Sequence, residues 1–180
     1  MSESSDGVSA VFPSPTPGLA RRMAAFIYEG VLLFGVVFVA GYLYSALTQQ
    51  RNAMQGQHGL QAFLFIVLGI YFVWFWSRGG QTVAMKAWHI RVVDAQGRGL
   101  SQLRALARYV LSWLWFLPAL ASVYLLGLQH SSGAIFASLG VGVVAYAALA
   151  WIHPRRQFLH DAICGTRLVT QLPPPRAKKK

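Results

Sequence analysis

Acidic residues are scarce in this chain, which has five Asp and Glu among its 180 residues. Charged residues of either sign make up 12 % of it, about half the share typical of a soluble domain. Because 55 % of the chain is hydrophobic, so little charge cannot cover a water-soluble fold. Five acids also leave little for general acid–base catalysis, and no Walker loop, nucleophile elbow or metallopeptidase motif occurs. The composition predicts a membrane protein that is not an enzyme.

Cysteine is nearly absent, since Cys164 is the single one in the chain. This excludes an intrachain disulfide and a cysteine-based metal cluster. His153, His160, Asp161 and Cys164 are metal-binding residue types close in sequence, but their spacing matches no zinc or copper pattern. We therefore predict no metal and no cofactor.

What the chain does have is long apolar runs. Residues 23–47 contain one charge, Glu29, residues 60–76 contain none, and residues 109–154 contain no Asp, Glu, Lys or Arg. The last run is about twice the length of one span and breaks at a polar turn, so it predicts two helices. The fold class expected is an all-α membrane protein with four transmembrane helices, at about 24–47, 60–76, 109–127 and 134–152. Pro118 should kink the third helix, and Gly140 and Gly142 permit close approach of the fourth.

The net charge of +11 is distributed unevenly. Fifteen of the sixteen Lys and Arg fall in the N-terminal segment, in the loop 77–108 or near the C-terminus, and Arg51 is the exception. By the positive-inside rule, both termini and that loop are expected on the cytoplasmic side, facing anionic lipid headgroups, and nucleic-acid binding is not expected. Residues 1–20, rich in Ser, Pro and Gly, predict a disordered tail, and residues 172–180 a basic C-terminal tail.

Two short segments have strand character. Residues 89–94 and 166–170 are rich in β-branched residues, and a Gly-containing turn follows the first of them. They are expected to pair into a small cytoplasmic ladder beneath the helices.

Three motifs resemble the RDD family of bacterial membrane proteins. They are the run RRMAAFIYE at 21–29, GQTVAMK at 80–86 with RVVD at 91–94, and LHD at 159–161 followed by GTRLV at 165–169. The family is named for an arginine and an aspartate in the first helix and a later aspartate, and the matching positions are Arg22, Glu29 and Asp161. The first acid departs from the pattern, since it is glutamate here. The resemblance covers a domain at 21–171 and implies a multi-pass helical bundle in the bacterial inner membrane, with ion or proton-coupled transport proposed for some members.

Glu29 is the residue on which a functional prediction depends. It follows Arg22 by seven residues, hence lies about 10 Å deeper along a helix, and an ionised acid inside a membrane needs compensation. Three sources stay open: Arg22, a basic residue beside the third helix such as Arg104 or Arg108, or a bound proton. Glu29 is accordingly either part of a proton or cation relay or half of an ion pair that fixes helix packing.

The other motif residues have mainly structural interpretations. Asp161 is expected to tie the C-terminal segment to Arg22 or to a loop arginine, with capping of a helix at Ala162 as the alternative. Arg104 and Arg108 lie one turn apart and are expected on a solvated or headgroup-facing surface rather than in an anion site. Thr82, Met85 and Lys86 are expected to support the loop.

Two functions remain open at this point. The first is transport of an ion or proton with Glu29 as the titrating acid. The alternative is a noncatalytic membrane scaffold or assembly factor that docks a partner or lipid through its basic loops. In both, the partners expected are the bilayer and its anionic headgroups, with a second copy of the chain or another membrane protein as a candidate.

Overall fold

The computed structural model describes residues 15–48, 57–152 and 157–172. Seven α-helices, one short 3-10 turn and two strands follow one another along these residues. In chain order they are α1 (Leu19–Leu47), α2 (Gln57–Arg78), α3 (Val83–Ala87), β1 (Ile90–Asp94), α4 (Gln102–Ser112), the 3-10 turn (Trp113–Trp115), α5 (Leu117–Leu125), α6 (Ser132–Ile152), α7 (Leu159–Ile163) and β2 (Thr166–Thr170).

Three of these helices, α1, α2 and α6, are long and apolar enough to cross a bilayer. Helices α4 and α5 meet the same test together while bent by 40°, so the described residues hold three spans, or four if the bent pair crosses as one. The ends of α1, α2 and α6 lie within five residues of the predicted bounds. The prediction that the chain has several helices long and apolar enough to span a membrane is confirmed.

The third predicted span differs most from its expected bounds. Its helix begins at Gln102 because the Ser101 hydroxyl accepts a hydrogen bond from the Arg104 backbone N–H at 3.3 Å and caps it. It is interrupted before Leu117, and Pro118 occupies the first turn of α5, where a missing N–H is tolerated. A bend at Pro118 was therefore predicted correctly, but a single helix over 109–127 was wrong.

Large apolar side chains on the long helices point away from the protein. Phe34 on α1 is 74 % exposed, and so is Phe136 on α6. Soluble monomers rarely expose such continuous apolar surface, whereas lipid accepts it. These exposed faces are what a polytopic membrane protein presents to the bilayer.

Close helix packing depends on one of the two predicted glycines. A Cβ built on Gly142 in α6 would lie 2.8 Å from the Ala119 Cβ in α5, which is closer than two such atoms approach. Gly140 has no neighbour within 4 Å of its Cβ position. The expectation of close approach is confirmed at Gly142 and wrong at Gly140, which does not face α5.

The predicted ladder is present. Strands β1 and β2 pair antiparallel, with Ile90 opposite Thr170 and Asp94 opposite Thr166. Gly80, just after α2, has φ +67°, and its carbonyl accepts a hydrogen bond from the Val92 N–H at 2.7 Å. A Cβ on Gly80 would lie 2.6 Å from the Val92 carbonyl oxygen, so this turn requires glycine. The loop 77–108 is thus largely folded.

Residues 15–20 belong to the folded part of the chain. The Pro15 carbonyl accepts a hydrogen bond from the Thr170 N–H at 3.0 Å, and the Gln157 side chain donates to the Thr16 hydroxyl at 3.2 Å. Pro17 is fully buried, and α1 already begins at Leu19. The prediction of disorder was therefore wrong for residues 15–20, because backbone pairing with β2 and burial offset the entropy of ordering. Residues 1–14 and 173–180, which complete the two predicted tails, lie outside the described residues.

Candidate functional site

Glu29 is held by two neutral hydroxyl groups. It lies on α1 and is 8 % exposed. The Tyr71 hydroxyl on α2 donates to its Oε1 at 2.7 Å, and the Thr82 hydroxyl donates to its Oε2. Thr82 is fully buried, and its oxygen also accepts from the Met85 backbone N–H at 3.2 Å, which caps α3. The acid therefore connects α1, α2 and α3.

No basic side chain of the described residues lies within salt-bridge distance of Glu29. Arg104 is 3.5 Å from Asp94, and Arg108 is paired with Asp161. Sequence reasoning missed both hydroxyl partners. Tyr71 and Thr82 are 42 and 53 residues from Glu29 in sequence, and contacts over such separations produce no periodic pattern in the sequence.

Asp161 and Arg108 form a buried ion pair. The Arg108 Nε donates to the Asp161 Oδ1 at 2.7 Å, and the two side chains are 7 % and 0 % exposed. The Thr166 hydroxyl donates to the same oxygen at 2.9 Å. The pair connects α4 to α7 and β2. Of the two partners predicted for Asp161, the structure therefore has the loop arginine, Arg108, and not Arg22.

Two predictions about this pair were wrong. Asp161 lies inside α7, whose N-cap is Phe158, so it does not cap a helix beginning at Ala162. Arg108 is buried and lies over the Trp76 ring at 4.0 Å instead of facing solvent or headgroups. Burial acts to raise the pKa of Asp161, but the charge and hydrogen bonds of Arg108, with the bond from Thr166, hold it below its ordinary value.

His160 is buried beside this pair. Its backbone N–H donates to the Tyr146 hydroxyl at 3.0 Å, and its Nδ1 lies 2.9 Å from the same oxygen. The donor in the contact between Nδ1 and the hydroxyl depends on the ring tautomer, and Nε2 lies 3.7 Å from Asp161 Oδ2. Burial lowers the pKa of His160 to about 4, so the ring is neutral at physiological pH.

The residues considered as metal ligands form no metal centre in the part of the chain that is described. No group of three or more His, Cys, Asp or Glu suited to a metal ion occurs there. Cys164 is half-buried, and burial raises the pKa of its thiol. His153 lies outside the described residues.

Asp94 organises the turn after β1. It is 2 % exposed and accepts backbone hydrogen bonds from Gln96 and Arg98, and its carboxylate lies 3.1 Å from the Arg98 Nε and 3.5 Å from an Arg104 nitrogen. Although burial acts to raise it, these hydrogen bonds and the charge of Arg98 hold the pKa of Asp94 below its ordinary value. Arg104 thus stabilises the turn after β1 through its contact with Asp94, whereas the Lys86 side chain is exposed.

Arg22 lies at the start of α1 and is 5 % exposed. Its guanidinium lies over the Phe158 ring at 4.6 Å. Within the described ranges, its Nε and Nη1 have no hydrogen-bond partner. Of the three family positions, Arg22, Glu29 and Asp161, none is hydrogen-bonded to another in the structure.

One cavity brings these separate groups together. It has a volume of about 350 Å³ and lies between α1, α2 and α4 above the ladder. Arg22, Glu29, Arg108 and His160 line it, with aromatic and aliphatic side chains forming most of the remaining wall. Its size falls within the range of small-molecule sites. The arrangement can bind a ligand with an apolar body and place a titratable acid next to it.

Comparison with known proteins gives one match. The family model described as RDD family matches residues 16–165 of the chain. No curated protein and no solved structure matches it.

Proposed function

This chain belongs to the RDD family, and from that premise we propose that it is a multi-pass protein of the bacterial inner membrane that couples proton movement to transport. Glu29 is the acid that gains and loses the proton. Both termini and the basic loop 77–108 lie on the cytoplasmic side in this proposal.

The partners of Glu29 are the observation that carries the proposal. A carboxylate fixed by an arginine, like Asp161, stays ionised because protonation would leave a buried cation unpaired. Tyr71 and Thr82 are neutral, and a hydroxyl can donate to a carboxylate or accept from a carboxylic acid. Both protonation states of Glu29 can therefore be hydrogen-bonded in place. An acid inside a spanning helix and beside a cavity is where proton relays are found.

Proton flux tests this function. The natural protein is reconstituted in sealed vesicles with an internal pH dye, and cation gradients are imposed. Flux above that of empty vesicles is expected, with loss in Glu29→Gln and retention in Asp94→Asn, which removes an acid outside the spanning helices. Thr82→Ser should keep flux, and Thr82→Val should reduce it. If the natural protein moves no ion, transport is rejected; if Glu29→Gln transports like the natural protein, the role of Glu29 is rejected.

The orientation is tested through Cys164, the single cysteine of the chain. A membrane-impermeant maleimide should label it in inverted vesicles and fail to label it in intact cells until they are permeabilised. Because burial raises the pKa of this thiol, the reaction is run at mildly alkaline pH. Cys164→Ser gives the background. Labelling in intact cells would reverse the proposed orientation.

A scaffold function is the second candidate. The side chains of Arg78, Lys86 and Arg98 support it, because all three are exposed and present positive charge to anionic lipid or a protein partner, Arg98 while also paired with Asp94. Replacing the three by Gln should weaken binding of the detergent-solubilised protein to anionic vesicles. This function is preferred if the natural protein shows that binding and no flux; it is rejected if the triple replacement leaves binding unchanged.

A further inference from the structure

Two residues that line the cavity between α1, α2 and α4 have buried N–H groups for which the described part of the chain supplies no acceptor. The Nε and Nη1 of Arg22 and the Nε1 of Trp76 are buried and have no partner among those residues. Arg22 is 5 % and Trp76 4 % exposed, and both line the cavity. Buried donors are nearly always hydrogen-bonded in native proteins, so three of them on one cavity wall indicate an absent acceptor.

The unpartnered groups all have the same chemistry. Each is an N–H donor, and only an acceptor can satisfy it. The acid that lines the cavity, Glu29, already accepts from Tyr71 and Thr82, and Arg108 is neutralised by Asp161. Asp161 acts on Arg22 through its charge, but no acid of the described residues lies within salt-bridge distance of the Arg22 guanidinium. A ligand with an anionic oxygen would therefore match the Arg22 guanidinium better than a ligand with a cationic or neutral polar group.

Apart from Glu29, Arg108, Ser112 and His160, the rest of the cavity wall is apolar, and the cavity is elongated. Along α1 its wall runs from Arg22 to Leu33, and along α2 from Trp76 to Leu68. Eleven residues of helix separate the first two, which is about 16 Å at the α-helical rise. The donors lie at one end of this length and aliphatic side chains at the other. A ligand that fills the cavity needs a polar head and an apolar tail.

We propose that this cavity is a binding site for an anionic amphiphile, a molecule with one carboxylate or phosphate head bonded to Arg22 and Trp76 and an apolar chain lying between α1 and α2. The inference rests on the proposed function in treating the cavity as a ligand site, and it adds the chemical class of the ligand. The same chemistry can come from a bilayer lipid or from a free single-chain amphiphile.

Equilibrium binding of radiolabelled dodecanoate tests the proposal, with the full chain in nanodiscs of zwitterionic phosphatidylcholine and empty nanodiscs as the blank. We expect saturable binding, displaced by unlabelled dodecanoate about tenfold more effectively than by dodecanol, which lacks the charge, since a charge-assisted hydrogen bond is worth that much or more. Acetate, which lacks the tail, and dodecylamine, which has the opposite charge, should displace it no better than dodecanol. The proposal would be overturned if dodecanol or dodecylamine displaced the radiolabelled dodecanoate as effectively as unlabelled dodecanoate does.

Variants locate the site. Arg22→Gln should weaken dodecanoate binding about tenfold or more, whereas Arg22→Lys should keep most of it. Arg78→Gln is the matched control, because this arginine is exposed, lies over Trp74 and does not line the cavity. Undiminished binding by Arg22→Gln would reject the assigned head group site.

Two further variants keep the test decisive if Arg22→Gln does not fold. Gly30 lines the cavity and has no atom within 4 Å of its Cβ position, so Gly30→Leu should fold and block binding by filling space. Trp76→Phe removes one donor and keeps a ring at the cavity wall, and it should weaken binding. If both fold and bind like the natural protein, the proposal fails.

The source of the ligand is distinguished by adding phosphatidylglycerol to the nanodiscs. Loss of dodecanoate binding to the natural protein in these discs assigns the site to a bilayer lipid, and unchanged binding assigns it to a free amphiphile; both outcomes support the shared chemistry. Because binding is measured without a gradient, bound dodecanoate without proton flux rejects only the transport function. Flux without dodecanoate binding rejects only the present inference.

Discussion

The buried pair of Arg108 and Asp161 should dominate the stability of the described domain. Asp161→Asn keeps the shape of the side chain and removes its charge, which leaves the buried guanidinium of Arg108 without its anion. Removing one member of a buried ion pair costs about 3–5 kcal/mol. The upper part of that range is appropriate here, because the bond from Thr166 also loses its charged acceptor.

The free energy of unfolding is measured by SDS titration in mixed micelles, followed by tryptophan fluorescence. Asp94→Asn is the matched control, since the arginines around Asp94 are exposed and solvent can replace their contacts. Asp161→Asn should destabilise the protein far more than this control does.

The double variant tests whether the loss comes from an unpaired charge. Arg108→Gln combined with Asp161→Asn places two neutral amides in contact, so its loss should be smaller than the sum of the two single losses by about 1–3 kcal/mol. A loss under about 1 kcal/mol for Asp161→Asn, or additive losses in the double variant, would refute the account of a buried charge pair.

Three other predictions concern residues outside this pair. The pKa of His160 is about 4 in the folded protein and near 6.5 ordinarily, so the unfolded chain binds the proton first as pH falls. The free energy of unfolding should therefore drop by about 3 kcal/mol between pH 6.5 and pH 4. SDS titrations of His160→Gln should lack this pH dependence, and an unchanged pH dependence would contradict the assignment. Gly80→Ala should lower the free energy of unfolding by about 1–2 kcal/mol or more, since alanine is strained at positive φ. Gly79→Ala is the control and should not lower it, because the nearest atom to its Cβ position is 3.8 Å away. Equal losses of stability in the two variants would reject the requirement for glycine at position 80. Gly142→Ala should lower the free energy of unfolding by about 1–3 kcal/mol through overpacking, and with it the thermal midpoint. Gly140→Ala, where the Cβ meets no atom within 4 Å, should not lower either.

The spanning helices could be predicted because a membrane constrains them strongly. A run such as residues 60–76 with no charge has few alternatives to a spanning helix, and α2 lies there. The pairing of the two strands could be predicted from β-branched runs, but the antiparallel register that joins Ile90 to Thr170 could not. The start of α4 could not, because hydropathy marks where charge ends and not where a hydroxyl such as Ser101 caps a helix.

The sequence by itself determined which residues place a charge in or beside a membrane-spanning helix, where a charged side chain raises the free energy. Arg22, Glu29 and Asp161 stand out because few charged residues lie in or beside the apolar runs. Only the tertiary structure decided their partners. Glu29 is bonded to hydroxyls from α2 and α3, Asp161 is bonded to Arg108, and Arg22 faces a cavity. The physical reason is that helix periodicity relates residues three or four positions apart, whereas these contacts join elements tens of residues apart, whose relative placement is set by the packing of the whole bundle.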